Sequence, residues 1–165
     1  MKEEIERKYL VCADGWQRLA VSARPLRQGY LAEGPGVTVR VRLAAGEGRL
    51  TLKSRLPGPS RMEFECAIPQ AEAEALLAAY AGGRLVEKVR HDVPWEGRLW
   101  EVDVFGGRNA GLVVAEVELA SVREPVHPPA WVGREVTDDP RFYNQFLAER
   151  PIDEWSPEER SWPAR

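Results

Sequence analysis

The chain has 165 residues, of which 44% are apolar and 30% charged, and a net charge of −3. This length supports one domain with a sizeable core, and the slight negative charge gives no reason to expect duplex nucleic acid or an anionic membrane as partner. Met1-Lys2-Glu3-Glu4 starts no apolar run and no later stretch approaches a membrane span, so neither signal peptide nor membrane helix is expected and the expected location is cytoplasmic.

Cys12 and Cys66 are not spaced as a pair and read as free thiols of a reducing compartment. With two distant histidines, His91 and His127, they make no zinc site. A metal in this chain has to be held by carboxylates, and oxygen ligands favour magnesium or manganese.

The first strand is expected over residues 3–11. Residues two apart in a strand share a face, so Glu4, Glu6 and Lys8 point one way and Ile5 and Tyr9 the other. Residues 13–23 read as a loop with a helical turn near Trp16, and a second strand is expected over 25–31. The parity of Tyr30 in it is left open by the neighbouring Gly29. Residues 37–43 alternate strictly and are β-branched, the mark of a strand; Arg40 and Arg42 share one face. A turn at 46–48 leads to a strand at 50–53 carrying Lys53. After Pro57-Gly58-Pro59, a strand at 62–68 places Glu63 and Glu65 together.

Residues 70–81 form the expected packing helix, with Ala73, Leu76, Leu77 and Tyr80 at helical spacing and Gly82-Gly83 ending it. Strands follow at 85–93 with Lys88 and Arg90, at 99–105 with Glu101 and Asp103, and at 112–119 with Glu116 and Glu118. Asp139 and Pro140 signal a helix start, and a short helix is expected over 140–149. Residues 151–165 read as a weakly ordered polar tail, with docking of Trp155 and Trp162 left open, leaving 1–150 as a single domain.

One charged pair on one strand face is unremarkable, because a solvated face gives the same pattern. Six strands carrying such pairs, segregated into carboxylate strands and cation strands, point to one shared surface. About eight antiparallel strands can close into a barrel, whose lumen would then hold both signs. So many charges are costly to bury without partners, and a polyanion with a divalent metal would supply them. No P-loop and no Gly-x-Ser-x-Gly elbow is present.

Glu4-Ile5-Glu6-Arg7-Lys8 resembles the Glu-x-Glu-x-Lys signature of the CYTH domain, the triphosphate tunnel metalloenzymes. Val39-Arg40-Val41-Arg42, Leu50-Thr51-Leu52-Lys53, Glu63-Phe64-Glu65, Glu87-Lys88-Val89-Arg90, Glu101-Val102-Asp103 and Glu116-Val117-Glu118 follow in that family's order. The resemblance covers residues 3–149. It implies an α+β, mostly β fold: an eight-stranded antiparallel closed barrel, the triphosphate tunnel, with a charged lumen and a few flanking helices. It implies magnesium or manganese held among Glu4, Glu6, Glu63, Glu65, Asp103, Glu116 and Glu118. Lys8, Tyr30, Arg40, Arg42, Lys53, Lys88 and Arg90 would bind substrate, with Lys8, Glu116 and Glu118 catalytic. The implied activity is hydrolysis of inorganic tripolyphosphate. Nucleoside or RNA 5′-triphosphatase, class IV adenylate cyclase and a non-catalytic polyphosphate-binding module are the alternatives. The expected partners are inorganic tripolyphosphate or a nucleoside triphosphate, with a homodimer left open.

Overall fold

Among the described residues nine strands form one antiparallel sheet, most of them with the inward and outward faces that alternation gives. The computed structural model describes residues 2–33, 36–54 and 60–161. In chain order the strands are β1 Lys2–Val11, β2 Ser22–Glu33, β3 Val37–Ala44, β4 Glu47–Ser54, β5 Ser60–Ile68, β6 Leu85–Trp95, β7 Arg98–Phe105, β8 Val113–Glu118 and β9 Val132–Glu135. The helices are α1 Gln70–Tyr80, α2 Asn144–Glu149 and α3 Pro157–Arg160.

The strand order is β5-β4-β3-β2-β6-β7-β8-β1-β9, and β5 pairs in addition with β1. That extra ladder joins Lys2↔Glu63 through Ile5↔Ser60 and links β1 to β8 into a circuit. Along β1, β5 pairs with residues 2–5 and β9 takes over at Tyr9 and Val11. The expected eight-stranded barrel therefore gains a ninth strand. β9 is four residues long, too short for a periodic signal to stand out.

Three apolar clusters hold the sheet. Outside β1, β7 and β8, Ile5, Tyr9, Trp100, Val102, Ala115 and Val117 pack beneath Trp16 and Trp131. α1 covers β2, β3 and β4 with Ala73 and Leu77. The approach of α1 is close: a Cβ on Gly29 would lie 2.8 Å from Leu77 Cδ2, and one on Gly48 would lie 2.7 Å from Ala73 Cβ. Tyr80, expected on the packing face, is 63% exposed, because Ala81 fills that place one residue later.

The third cluster lies inside the barrel. Leu10, Tyr30, Val86, Phe105, Leu112 and Val114 are packed by Phe142, Leu147, Ala148, Ile152 and Trp155. Leu10 shares a face with Lys8, Val114 with Glu116, and Phe105 with Asp103. The inward faces thus pass from charged to apolar along the barrel, and only part of the lumen is charged.

The C-terminal segment fills that apolar end: contrary to the expectation of a weakly ordered tail it is ordered, and Trp155 docks. Trp155 is 3% exposed, and Ser156 and Glu159 form a capping box that starts α3. Trp162 lies outside the described residues. The expected helix over 140–149 is two pieces: a 3-10 turn at Pro140–Phe142, capped by Asp139, and then α2. Tyr143 between them is extended and breaks the run. Among the described residues no helix is long and apolar enough to cross a membrane.

Candidate active site

The charged part of the lumen is a cavity of about 990 Å³. Glu4, Glu6 and Lys8 reach it from β1, Gln28 and Tyr30 from β2, and Arg40 and Arg42 from β3. Lys53 comes from β4, Glu63 and Glu65 from β5, Lys88 and Arg90 from β6, Glu101 from β7 and Glu116 from β8. Strand alternation and register place them there. Lys8 lies opposite Glu116 across β1 and β8, Arg40 opposite Thr51 across β3 and β4, and Arg90 opposite Asp103 across β6 and β7.

Carboxylates and cations are interleaved. Lys8 Nζ stands 2.8 Å from Glu116 Oε1. Lys53 Nζ lies 2.6 Å from Glu4 Oε2 and 3.0 Å from Glu63 Oε2. Arg40 Nη2 lies 3.6 Å from Glu63 Oε1, and Arg42 Nη2 lies 3.2 Å from Glu65 Oε2. Arg90 Nη2 reaches Glu116 Oε2 at 2.6 Å and also pairs with Glu101.

These contacts set the charge states. Burial works against ionised Glu116, but Lys8, Arg90 and Lys88 outweigh it and hold the carboxyl well below the usual range. Burial likewise opposes the Lys8 ammonium, and Glu116 and Glu6 more than compensate, raising its pKa. Glu6 goes the other way: burial and the neighbouring Glu116 push its carboxyl up, with Lys8 offsetting only part. Burial raises the Tyr30 phenol, so it stays a neutral donor.

Asp103 is on an inward face but has no exposed surface. Its Oδ1 accepts from Arg90 Nε at 2.7 Å, and its Oδ2 from Arg90 Nη2 at 2.6 Å and Lys88 Nζ at 2.5 Å. The structure therefore places this candidate metal ligand behind the cavity wall, anchoring two cations. Glu118 is exposed and outside the cavity lining, across the strand pair from Glu6 at the open side. Tyr30, whose parity Gly29 obscured, faces inward and accepts from Gln28 Nε2 at 3.1 Å. His91 meets Trp16 edge to face on the outer side, with ring centroids 4.9 Å apart.

Several lining residues carry no strand-pair signal. Tyr143, Asn144 and Gln145 enter from the start of α2. Asn144 Oδ1 accepts from Lys88 Nζ at 3.4 Å, Gln145 Oε1 from Thr38 Oγ1 at 3.4 Å, and the Tyr143 ring lies 5.8 Å from Lys8 Nζ. Their sequence positions fall after a proline-rich stretch, where no periodicity reports a facing direction.

The donor set suits a hard divalent cation. Glu4, Glu6 and Glu116 line the lumen on the adjacent strands β1 and β8, and burial, with Glu116 adding to it, raises the Glu6 carboxyl. Among the described residues these groups are not gathered into a finished cluster of three or more possible ligands.

The CYTH domain model matches residues 2–143. The inorganic triphosphatase of Acetivibrio thermocellus is 42% identical over 151 residues, covering 92% of this chain and 96% of its own. The inorganic triphosphatase of Nitrosomonas europaea is 42% identical over 152 residues, covering 88% and 96%. A solved crystal structure of an inorganic triphosphatase, 40% identical, superposes with a TM-score of 0.66 over 90% of this chain and 95% of that one. Fold, lumen and sequence agree, and the chain belongs to the CYTH domain family, whose triphosphatases are metal-dependent.

Proposed function

We propose that this protein hydrolyses inorganic tripolyphosphate to pyrophosphate and phosphate, with magnesium or manganese as cofactor. The observation that carries this is the lumen itself: Lys8, Arg40, Arg42, Lys53, Lys88 and Arg90, drawn from four strands, surround one cavity that Glu4, Glu6 and Glu116 also line. Six cations exceed what one phosphoryl group needs, so the surface suits a chain of phosphates.

Glu4, Glu6 and Glu116 are the residues that would hold the metal, with Glu63 and Glu65 next to them on β5. A bound divalent cation supplies Lewis acidity at a phosphate oxygen and lowers the pKa of a coordinated water. Lys8 and the arginines bind phosphate oxygens through charge-assisted hydrogen bonds and stabilise charge as it develops in transfer. Lys8 is well suited, because its neighbouring carboxylates keep it protonated. Tyr30 and Gln28 offer neutral donors on the β2 side. Asp103 acts indirectly, by fixing Lys88 and Arg90. Glu118 lies at the open side, where it would meet incoming metal or its waters. The unpaired Cys12 and Cys66 suit a cytoplasmic setting.

The test is a substrate panel of tripolyphosphate, pyrophosphate and ATP with magnesium or manganese, assaying phosphate and cyclic AMP. Tripolyphosphate is expected to be cleaved fastest, and ATP more slowly to ADP and phosphate. Cyclic AMP with pyrophosphate as the main products would place the chain among the cyclases. Binding without turnover of any member would make it a polyphosphate-binding module.

A further inference from the structure

The connection after β7 makes a 3-10 turn, Gly107–Asn109, whose last residue is 1% exposed. The Asn109 side chain reaches across to the C-terminal segment. Its Nδ2 donates to the Leu147 carbonyl at 3.1 Å, and its Oδ1 accepts from the Ile152 amide at 2.9 Å. The first partner lies near the C-terminal end of α2, where helix carbonyls lack intrahelical donors. The second opens the turn at Ile152–Glu154. One amide therefore spans both sides of the chain's exit from α2. Arg108 adds a surface clasp, with Nε 3.0 Å from Asp153 Oδ2 and Nη2 2.5 Å from Glu154 Oε1.

α2 has six residues. A helix that short does not hold itself in water, so its position is set by what it packs against. Leu147 and Ala148 pack it into the lumen's apolar end, and Asn109 fixes its height there. The other end of the same helix carries Asn144 and Gln145, with Tyr143 just before them, all lining the cavity.

We propose that Asn109 is a positioning residue for substrate: it seats α2 so that Tyr143, Asn144 and Gln145 close the inner end of the cavity around the anion. This rests on the triphosphatase assignment and adds a residue outside the cavity to it. Asn109 lies outside the cavity lining, and its side-chain hydrogen bonds run to Leu147 and Ile152. Losing it leaves the charged strand residues in place and shifts the polar inner end. Affinity for the anion then suffers more than the chemical step.

The experiment is a mutant cycle on the full chain: N109A, the pair N144A/Q145A, and all three together, with kcat and KM measured for tripolyphosphate. N109A is expected to raise KM about five-fold with kcat within about two-fold of wild type. In the N144A/Q145A background, N109A is expected to add little, since residues acting through one another are non-additive. An unchanged KM, or an N109A effect that multiplies in full onto N144A/Q145A, overturns the proposal. Should N109A fail to fold in thermal melts, N109S fills part of the volume without spanning both partners, and the same cycle is run with it. Calorimetric titration of wild type with tripolyphosphate separates the two claims. Binding without cleavage defeats the hydrolase assignment alone, and the cycle is then read in Kd with the same criteria.

Discussion

Asp103→Asn separates an anchoring carboxylate from a metal ligand. The change keeps the side chain's shape and removes its charge. Asp103 accepts three charge-assisted hydrogen bonds, two from Arg90 and one from Lys88. Arg90 would retain Glu116 and Glu101, but Lys88 would lose its hydrogen-bonded carboxylate and keep neutral oxygens, the new amide and Asn144 Oδ1 at 3.4 Å, with the Glu116 charge further off. Burial, with Arg90 adding to it, already pulls the Lys88 pKa below its ordinary value against the attraction of Asp103. Without the Asp103 charge the amine becomes neutral or remains as a buried charge with no carboxylate hydrogen-bonded to it. Removing one partner of a buried pair costs about 3–5 kcal/mol. In a chain of this size that corresponds to a fall in Tm on the order of 10 °C. Losing the Lys88 cation also removes a charged contact to substrate worth about 1.5–3 kcal/mol, roughly ten- to a hundred-fold in kcat/KM. Scanning calorimetry and kcat/KM at several manganese concentrations check both. An unchanged Tm, with activity recovered by excess metal, would refute the anchoring role and make Asp103 a metal ligand.

Chelation is expected to abolish turnover, and added magnesium or manganese to restore it; full activity in chelator would sink the metal requirement. Glu6→Gln is expected to abolish turnover while raising Tm in metal-free buffer at neutral pH. The sign follows from the raised folded pKa of Glu6: its protonated form is favoured by folding, that contribution is lost as pH rises through the folded pKa, and glutamine never ionises. A lower Tm for Glu6→Gln at neutral pH would contradict it. Arg40→Ala and Arg42→Ala are each expected to raise KM for tripolyphosphate, by the roughly 1.5–3 kcal/mol of a charge-assisted contact. They should also narrow the preference over pyrophosphate, measured as the ratio of kcat/KM values. Equal cleavage of both anions by the wild type would remove the basis for an extended clamp.

The charged walls were legible because strand parity is a local property. Glu4, Glu6 and Lys8 share a face whatever the strand pairs with, and the same holds for Arg40 with Arg42 and Lys88 with Arg90. What depends on register was not legible. Parity puts Asp103 inward, but only the pairing of Arg90 with Asp103 shows that it lies behind the wall. Glu116 and Glu118 look equivalent in sequence, yet one is buried beside Lys8 and Arg90 and the other is exposed. The apolar end of the lumen was written on the same faces, in Leu10, Phe105 and Val114, but which element covers it is a tertiary fact. The C-terminal segment does so through Leu147, Ile152 and Trp155. Its composition is polar, and the local cue it offers is Ser156 three residues before Glu159, the spacing of a capping box.

The pairing inside the lumen also bears on how the site fills. Lys53 is committed to Glu4 and Glu63, Lys8 to Glu116, and Arg42 to Glu65. A polyanion entering alone would draw these cations toward phosphate and strip Glu4, Glu63 and Glu116 of their partners. Those carboxylates would then face each other across neighbouring strands with less compensation, at a cost that grows with burial. A cation entering alone would meet carboxylates already neutralised by lysine and arginine. Each ligand by itself therefore breaks ion pairs that the other could replace. When both are present, the cations turn to phosphate and the carboxylates to metal, and no charge is left uncompensated. By linkage the coupling is reciprocal: metal strengthens anion binding by the factor with which the anion strengthens metal binding. The interleaving of the two charge signs, strand by strand, is the physical reason to expect metal and anion to bind together.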